Sequence, residues 1–496
     1  MPAHGDVIEN DPADVRNFYE MVCFTHSLSL VRGERIKPAS SVEGDGFEVA
    51  KCRRDFADAI AYFCAYTADP GKVTAVALGR IDKMVVVWVA SNATVSARVL
   101  EFLDKCVLNM VQRLAASKEG QLPSGKHEPV AGLLVEILQF TKQKIFKYYK
   151  SAIAIWNKIC KSGNPDIKTN ADLSMFCGWL ERTLYKSGVM LEESDMPDLA
   201  INCYVAHTNK TFAILRHHSN QGNERRLDYE RLYKLLGKLG KHVWLFKRMI
   251  HAIDALRRDF REGFLVKHIS ASTGKPNSFP NFNEKSMKKV VVRIFNKEHE
   301  RDEFYHHLNR FYDKDNLSGR LQQCKKAGLR VHAEILLIDY FDRTDVTFLN
   351  NDDKYIGCSK PACYLCYHYI RKHPANYTLP PTHQKLYYAW CLPTVRANDR
   401  NCTDKIARHK RFLTEITENL RSDLRNEVTR QVAPRNYHAD STAGASSITG
   451  TGRADATQKI SDHRIGTLIR LLDEARIGVQ TGADLQDEDG GVLLHC

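Results

Sequence analysis

Along this chain the spacing of apolar residues alternates between helical and strand periods. Phe56, Ile60, Phe63 and Cys64 recur at i, i+4, i+7 and i+8, one face of a helix over 54–66. A turn at DPGK (69–72) follows, then two β-rich runs, VTAVAL (73–78) and MVVVWVA (84–90), joined by GRID (79–82). Two such runs on a short Gly/Asp-bearing link predict a hairpin. MVVVWVA is apolar on both faces, so its strand belongs inside a sheet covered on both sides.

The helical period returns at 94–115, where Val95, Val99, Phe102, Leu103, Cys106, Met110 and Leu114 form one stripe, and it dominates to about 328. The stretches 132–160, 172–187 and 227–262 carry it best. One strand candidate, KVVVRIF (289–295), interrupts the region, and stretches at 118–126, 217–223 and 271–284 read as loops. Upstream, a helical stretch near 12–30 precedes a polar loop. From 331 a helix begins, followed by extended VTFL (346–349) and KYIG (354–357), a second helix to about 372, a Pro-rich aromatic loop, and a charged helix at about 402–430. Residues 433–457 are short and polar, a linker or disordered segment. Residues 458–496 hold one short amphipathic helix, at about 463–475, and an acidic end. No internal repeat is visible.

Composition narrows this. The 496 residues are 43% hydrophobic and 26% charged, a globular balance with room for two or three domains. No run approaches the ~20 apolar residues of a membrane-spanning helix. The N-terminal MPAHGDVIENDP is acidic and unlike a signal peptide, and the C-terminal VLLHC lacks the spacing of a prenylation box. The expectation is an intracellular protein, cytoplasmic or nuclear, not secreted and without a membrane partner. Its 14 cysteines should then be mostly free thiols. Cys23, Cys64, Cys106, Cys160, Cys177 and Cys203 stand singly in apolar stretches and read as small buried hydrophobes. The formal charge is +13, and residues 141–330 carry 36 Lys/Arg against 20 Asp/Glu. Such a segment suits a polyanion, or simply forms a solvated helical surface. The same choice stands for Lys285, Lys288, Lys289 and Arg293. The pairs His217/His218 and His306/His307 read as exposed polar residues.

The chemistry concentrates in two places. In VHAEILLIDYF (331–341), His332 and Glu334 open a helix apolar enough to belong in a core. A carboxylate there needs compensation or takes up a proton. In CSKPACYLC (358–366), Ser359 suits an N-cap and Pro361 a first helical turn, which places Cys363 and Cys366 on one face near a helix start. That position favours the thiolate. Two thiolates and an imidazole make a three-ligand Zn2+ site with an open fourth position, catalytic in type, with a nearby carboxylate to shuttle protons. His332, Cys363 and Cys366 are the candidate ligands and Glu334 the shuttle. The competing reading is a closed structural zinc, with Cys358, His368, His373, His383 or Cys391 as fourth ligand. A disulfide is disfavoured by compartment, and a redox CxxC leaves the HAE helix without a role.

HAE (332–334) and PACYLC (361–366) resemble the H-x-E and P-C-x-x-C signature of the zinc nucleobase deaminases, with Ala362 inserted between the proline and the first cysteine. SKPACYLC is similar to the SKxxCxxC form of a divergent, largely fungal branch of that cytidine deaminase-like superfamily, over about 331–392. The resemblance implies an α/β fold: a three-layer α/β/α core of helix, strand, strand, HxE helix, strand and CxxC helix, then more strands, with a large mainly helical insertion or accessory domain. It divides the chain into an N-terminal segment (1–53), an opening helix and hairpin (54–92), a basic helical insertion or accessory domain (93–329), a catalytic core (330–432), a linker (433–457) and a tail (458–496). It also implies a base pocket in PPTHQKLYYAWCLP (380–393), with His383 and Trp390 as substrate-binding candidates and Tyr387 and Tyr388 as core. The expected partner is nucleic acid (RNA or single-stranded DNA) or a nucleotide. The alternative is a catalytically inert, zinc-stabilised module that binds nucleic acid or protein.

Overall fold

The computed structural model describes residues 6–28, 36, 45–117, 127–161, 170–220, 225–274, 280, 282, 284–311, 314–326 and 328–430. The expected linker and tail (433–496) and the loop at 118–126 lie outside these. In chain order, helices α1 (Pro12–Ser27) and α2 (Asp45–Cys64) precede strands β1 (Thr74–Ile81) and β2 (Met84–Ser91). A helix over Ala97–Ala116, loosened into a π-turn at Phe102–Leu108, leads to α3 (His127–Lys161), α4 (Met196–Thr208) and α5 (Arg226–Ala255). Then come β3 (Phe264–Ile269), α6 (Glu284–Ile294), α7 (Ala333–Arg343), β4 (Ile356–Cys358), α8 (Tyr364–Arg371) and α9 (Cys402–Arg430).

One mixed sheet, ordered β3-β2-β1-β4, organises the molecule. β1 pairs antiparallel with β2 (Ala77↔Trp88) and with β4 (Ala75↔Cys358), and β2 pairs parallel with β3 (Val87↔Val266). Alternation along the hairpin explains the layers. Val76, Leu78, Val85, Val87 and Val89 face a core built with α2, α3, α4 and α5. Ala75, Ala77, Val86, Trp88 and Ala90 face a second core built with α1, α6, α7, α8 and α9. The chain is thus α/β, with helices on both faces of the sheet, and the doubly apolar MVVVWVA lies inside it as its pattern requires. Ion pairs fasten α2 to both sides: Arg54 forks onto Asp353 at 2.8 and 3.1 Å just before β4, and Arg248 of α5 forks onto Asp55. Gly357 lets β4 approach α2 closely, since a Cβ there would lie 2.7 Å from the Ala57 carbonyl carbon.

Several expectations are corrected. KVVVRIF is not a strand but the end of α6: Met287, Val290, Val291 and Ile294 turn inward while Val292 is 53% exposed, the helical spacing. The strand that joins the sheet is instead FLVKHI (264–269), an edge strand whose Leu265, Lys267 and His268 are exposed, so its sequence shows little apolar pattern. Gly263, at φ +100°, turns the chain into it. VTFL contributes only one bridge, Gly79↔Phe348. Residues 217–220, expected in a loop, end the helix Ala213–Asn220. Among the described residues, the strands expected after α8 reduce to Val395–Arg396, paired with Val7–Ile8. Of the single cysteines, Cys160 is exposed and Cys106 half-buried. His218 and His307 are buried against Tyr229 and Phe311. Arg293 ion-pairs with Glu20, Lys288 and Lys289 are exposed, and the Lys285 side chain lies outside the described residues.

Candidate metal centre

The two helix starts meet at one end of the sheet. His332 is the N-cap residue of α7 but makes no capping bond with its side chain. Asn92, just past β2, caps in its place: its Oδ1 accepts the Ala333 N–H at 2.9 Å. The imidazole is left to turn toward the cysteines. At α8 the N-cap is Cys363 and not Ser359, and its Sγ accepts the Cys366 N–H at 3.4 Å. Ser359 is used on the sheet, exchanging two hydrogen bonds with the Thr74 backbone at 2.9 and 3.0 Å, so Pro361 precedes the helix instead of opening it.

His332 Nδ1 lies 3.6 Å from Cys363 Sγ and 3.4 Å from Cys366 Sγ. The three donor atoms fall within 4.8 Å of one another, the group among the described residues that could hold a metal ion. Zinc bonds of ~2.3 Å to sulfur and ~2.0–2.1 Å to nitrogen, at tetrahedral angles, put N and S roughly 3.5 Å apart. The donor set and its spacing therefore fit zinc. Glu334 stands outside that group, 3% exposed, with Oε2 3.9 Å from Cys366 Sγ.

Charges here are coupled. Burial opposes a charged His332, but the adjacent Cys363 outweighs it, and the imidazole is held above its ordinary value. Burial likewise opposes a Cys363 thiolate, yet the Cys366 thiol and His332 hold Cys363 well below the usual thiol range. Cys366 is pushed up by burial and by Cys363. Burial also raises the Glu334 carboxyl, against the pull of His332. Burial, and then the nearby Glu334, push the thiol of Cys358 at the end of β4 well above its usual range. Asp58 of α2 places this end of β4: it accepts the Cys358 N–H at 3.1 Å and the Tyr355 hydroxyl at 3.0 Å.

The aromatic loop wraps the cysteine loop. Ala362 N–H donates to Pro381 O at 2.9 Å, and Tyr364 N–H to Lys385 O at 2.9 Å. His383 is buried beside it, its backbone N–H on Ala362 O at 3.2 Å and its Nδ1 accepting the Lys385 N–H at 3.0 Å. Tyr387, half-buried, has its ring 6.1 Å from His332 and 5.7 Å from His383. Trp390 is 0% exposed, packed against Phe18 and Phe412, with no free face for a base. Its indole N–H is enclosed and makes no hydrogen bond, with the Cys366 thiol among its neighbours. The other ligand candidates lie elsewhere: His368 on Tyr364, His373 on Asp342, Cys391 beside Tyr19. Asn92, Asp58 and Tyr387 were the residues that sequence reasoning did not assign to the site. Asn92 alone had a signal, a polar residue directly after an apolar strand.

A family model described as "OTT_1508_deam:-like deaminase" matches residues 331–394, the span that holds all four candidate metal and proton-transfer residues. No curated protein and no solved structure matches the chain. This stretch is thus similar to a deaminase-family domain. No helix among the described residues is long and apolar enough to cross a membrane.

Proposed function

We propose that the chain is a zinc-dependent hydrolytic deaminase of a cytosine- or adenine-containing substrate, nucleic acid (RNA or single-stranded DNA) in preference to a free nucleoside. The observation that carries this reading is the convergence of His332, Cys363 and Cys366 at 3.4–3.6 Å with a buried carboxyl, Glu334, beside them. His332, Cys363 and Cys366 would hold the ion. Bound there, zinc would supply Lewis acidity.

The remaining work falls to side chains. Hydrolytic deamination replaces the exocyclic amine of cytosine C4 or adenine C6 by oxygen, so a proton leaves the attacking water, one reaches the ring nitrogen and one reaches the departing ammonia. Glu334 is the group placed to carry them, its carboxyl buried beside the ligands and raised by that burial. Tyr387 offers a ring beside His332 on which a base can stack. The excess of Lys/Arg over 141–330 favours a phosphate-bearing polymer.

Ammonia release from matched panels of single-stranded DNA, RNA and free nucleosides, with zinc-loaded wild type beside Glu334→Ala, tests this. Release that vanishes in the mutant supports the enzyme and names its substrate class. Zinc bound with no release from any substrate moves the reading to a metal-stapled binding module.

A further inference from the structure

Two cysteines outside the metal centre meet where two helices pack. Cys23 lies on α1 and Cys324 on the helix Lys314–Lys326, and these helices rest against each other. Both side chains are 0% exposed. Ser27, one turn after Cys23 on the same face of α1, brings its Oγ to 4.0 Å from Cys324 Sγ. The Cys23 thiol hydrogen-bonds directly to the Cys324 sulfur.

The two sulfurs are not equivalent. At Cys324 the hydrogen bond from Cys23, with Ser27 adding to it, outweighs burial and holds the thiol below its usual range. Burial and then that same bond push Cys23 well above it. Cys64, where burial dominates, is pushed up to about 12 and stays a thiol. A thiolate attacks an oxidant, and a second thiol at contact resolves the product. Cys324 is the attacking sulfur of this pair and Cys23 the resolving one.

Access comes through the outer helix. Over residues 317–326, Leu317, Leu321 and Cys324 turn inward and the other side chains are exposed. Arg320 Nη1 donates to Ser27 O at 3.1 Å and Gln322 Nε2 to Phe282 O at 3.0 Å. A helix with so little apolar burial opens locally at low cost, which admits a small oxidant to an enclosed sulfur. The pair also joins two segments of the metal centre. The helix of Cys324 runs through Leu329–Arg330 toward His332. α1 carries the aromatic loop: Tyr19 Oη donates to Trp390 O at 3.1 Å, and His26 Nδ1 to Leu386 O at 3.0 Å.

We infer that Cys23 and Cys324 form a redox modification site, where a hydroperoxide converts the two thiols into one disulfide between α1 and the helix Lys314–Lys326. With hydrogen peroxide, the Cys324 thiolate attacks one oxygen and the O–O bond breaks. Cys324 becomes a sulfenic acid, and the departing hydroxide takes the thiol proton and leaves as water. The Cys23 sulfur then attacks the sulfenic sulfur, the S–OH bond breaks, and that oxygen leaves with the Cys23 proton as a second water. The thiols are oxidised by two electrons and one peroxide is reduced to two waters. A dithiol reductant reverses the bond by exchange. The disulfide ties the segment that enters the metal centre to the helix that carries its loop, whatever reaction the centre performs.

The test treats the full, zinc-loaded chain with hydrogen peroxide, blocks free thiols, and maps peptides without reduction. A Cys23–Cys324 linked peptide should form and revert with dithiothreitol. It should form about tenfold or more faster than Cys64 is oxidised, since each unit of thiol pKa is tenfold in thiolate. In Cys23→Ser, with folding checked by thermal melting, dimedone should trap a Cys324 sulfenic acid that the wild type resolves. Hydrogen exchange over 314–326 should slow in the linked wild type and not in peroxide-treated Cys23→Ser. A map in which Cys23 and Cys324 stay reduced while Cys363 and Cys366 are oxidised and zinc is lost overturns the site. So does a linked peptide that forms no faster than Cys64 reacts. The wild-type map decides these points even where the variant fails to fold. Unchanged exchange in the linked protein overturns the tie between the helices.

Discussion

Asn92 Oδ1 accepts the backbone N–H of Ala333 at 2.9 Å across 241 residues of chain. One amide at the end of a sheet strand thereby does the capping that the first residue of the HAE helix would otherwise do, and His332 is released to point at two thiols.

Asn92→Ala should therefore cost about 1 kcal/mol as a lost helix cap, and it should also weaken zinc. With the Ala333 N–H unsatisfied, the imidazole competes for it. Competitive chelator titration would read the affinity; a wild-type value in a destabilised Asn92→Ala protein would reduce Asn92 to a cap alone.

Glu334→Gln keeps the size and the neighbours of the carboxyl but cannot carry a proton. Zinc stoichiometry should stay near one per chain, while turnover falls by ~10²-fold or more. Retained turnover would sink the role given to Glu334.

Cys366→Ser should lose zinc and lower the melting temperature of the loaded protein toward that of the chelated wild type, because metal binding stabilises only the folded chain. Trp390→Phe is subtler. It keeps the packing against Phe18 and Phe412 but removes the enclosed N–H that neighbours the Cys366 thiol, and such outer groups are worth roughly 10–100-fold in metal affinity. Unchanged affinity in Trp390→Phe would make Trp390 a core residue only.

Burial, with help from Asp55, raises Asp58 from an ordinary 3.8 to about 7. The folded value lies above the unfolded one, so this group's contribution is fully present below about pH 4 and lost as the pH rises through about 7. Melting temperature should fall on its account across that window. Asp58→Asn still accepts from Tyr355 and Cys358, and should flatten the fall; identical slopes for both proteins would refute this.

Much of the molecule was readable from local spacing, because helices and central strands carry their burial in their period. The failures share a cause. KVVVRIF has strand-like composition, yet the core it meets takes Val290, Val291 and Ile294 at helical intervals. FLVKHI pairs only as an exposed edge, so little hydrophobic pattern was needed. At the site, His332, Glu334, Cys363 and Cys366 stood out because their residue types conflict with an apolar setting unless something compensates them. The aromatics gave no such conflict. Which of Tyr387 and Trp390 faces the metal centre depends on the path of the loop, set by Arg330 bonding to Ala389 O and accepting from Cys391 at 2.8 and 3.0 Å. No periodicity reports a loop's path.

The pairing of Ala75 with Cys358 also has a consequence for biogenesis. As the polypeptide leaves the ribosome, the hairpin exists long before the three-residue strand that must close its outer side. Until then β1 presents open N–H and C=O groups, a template for mispairing with other nascent chains. Contacts this distant in sequence also make assembly slow. Excising 331–394 for study would strip away the sheet on which those residues rest, so expression should succeed with the long chain and yield aggregates with the fragment.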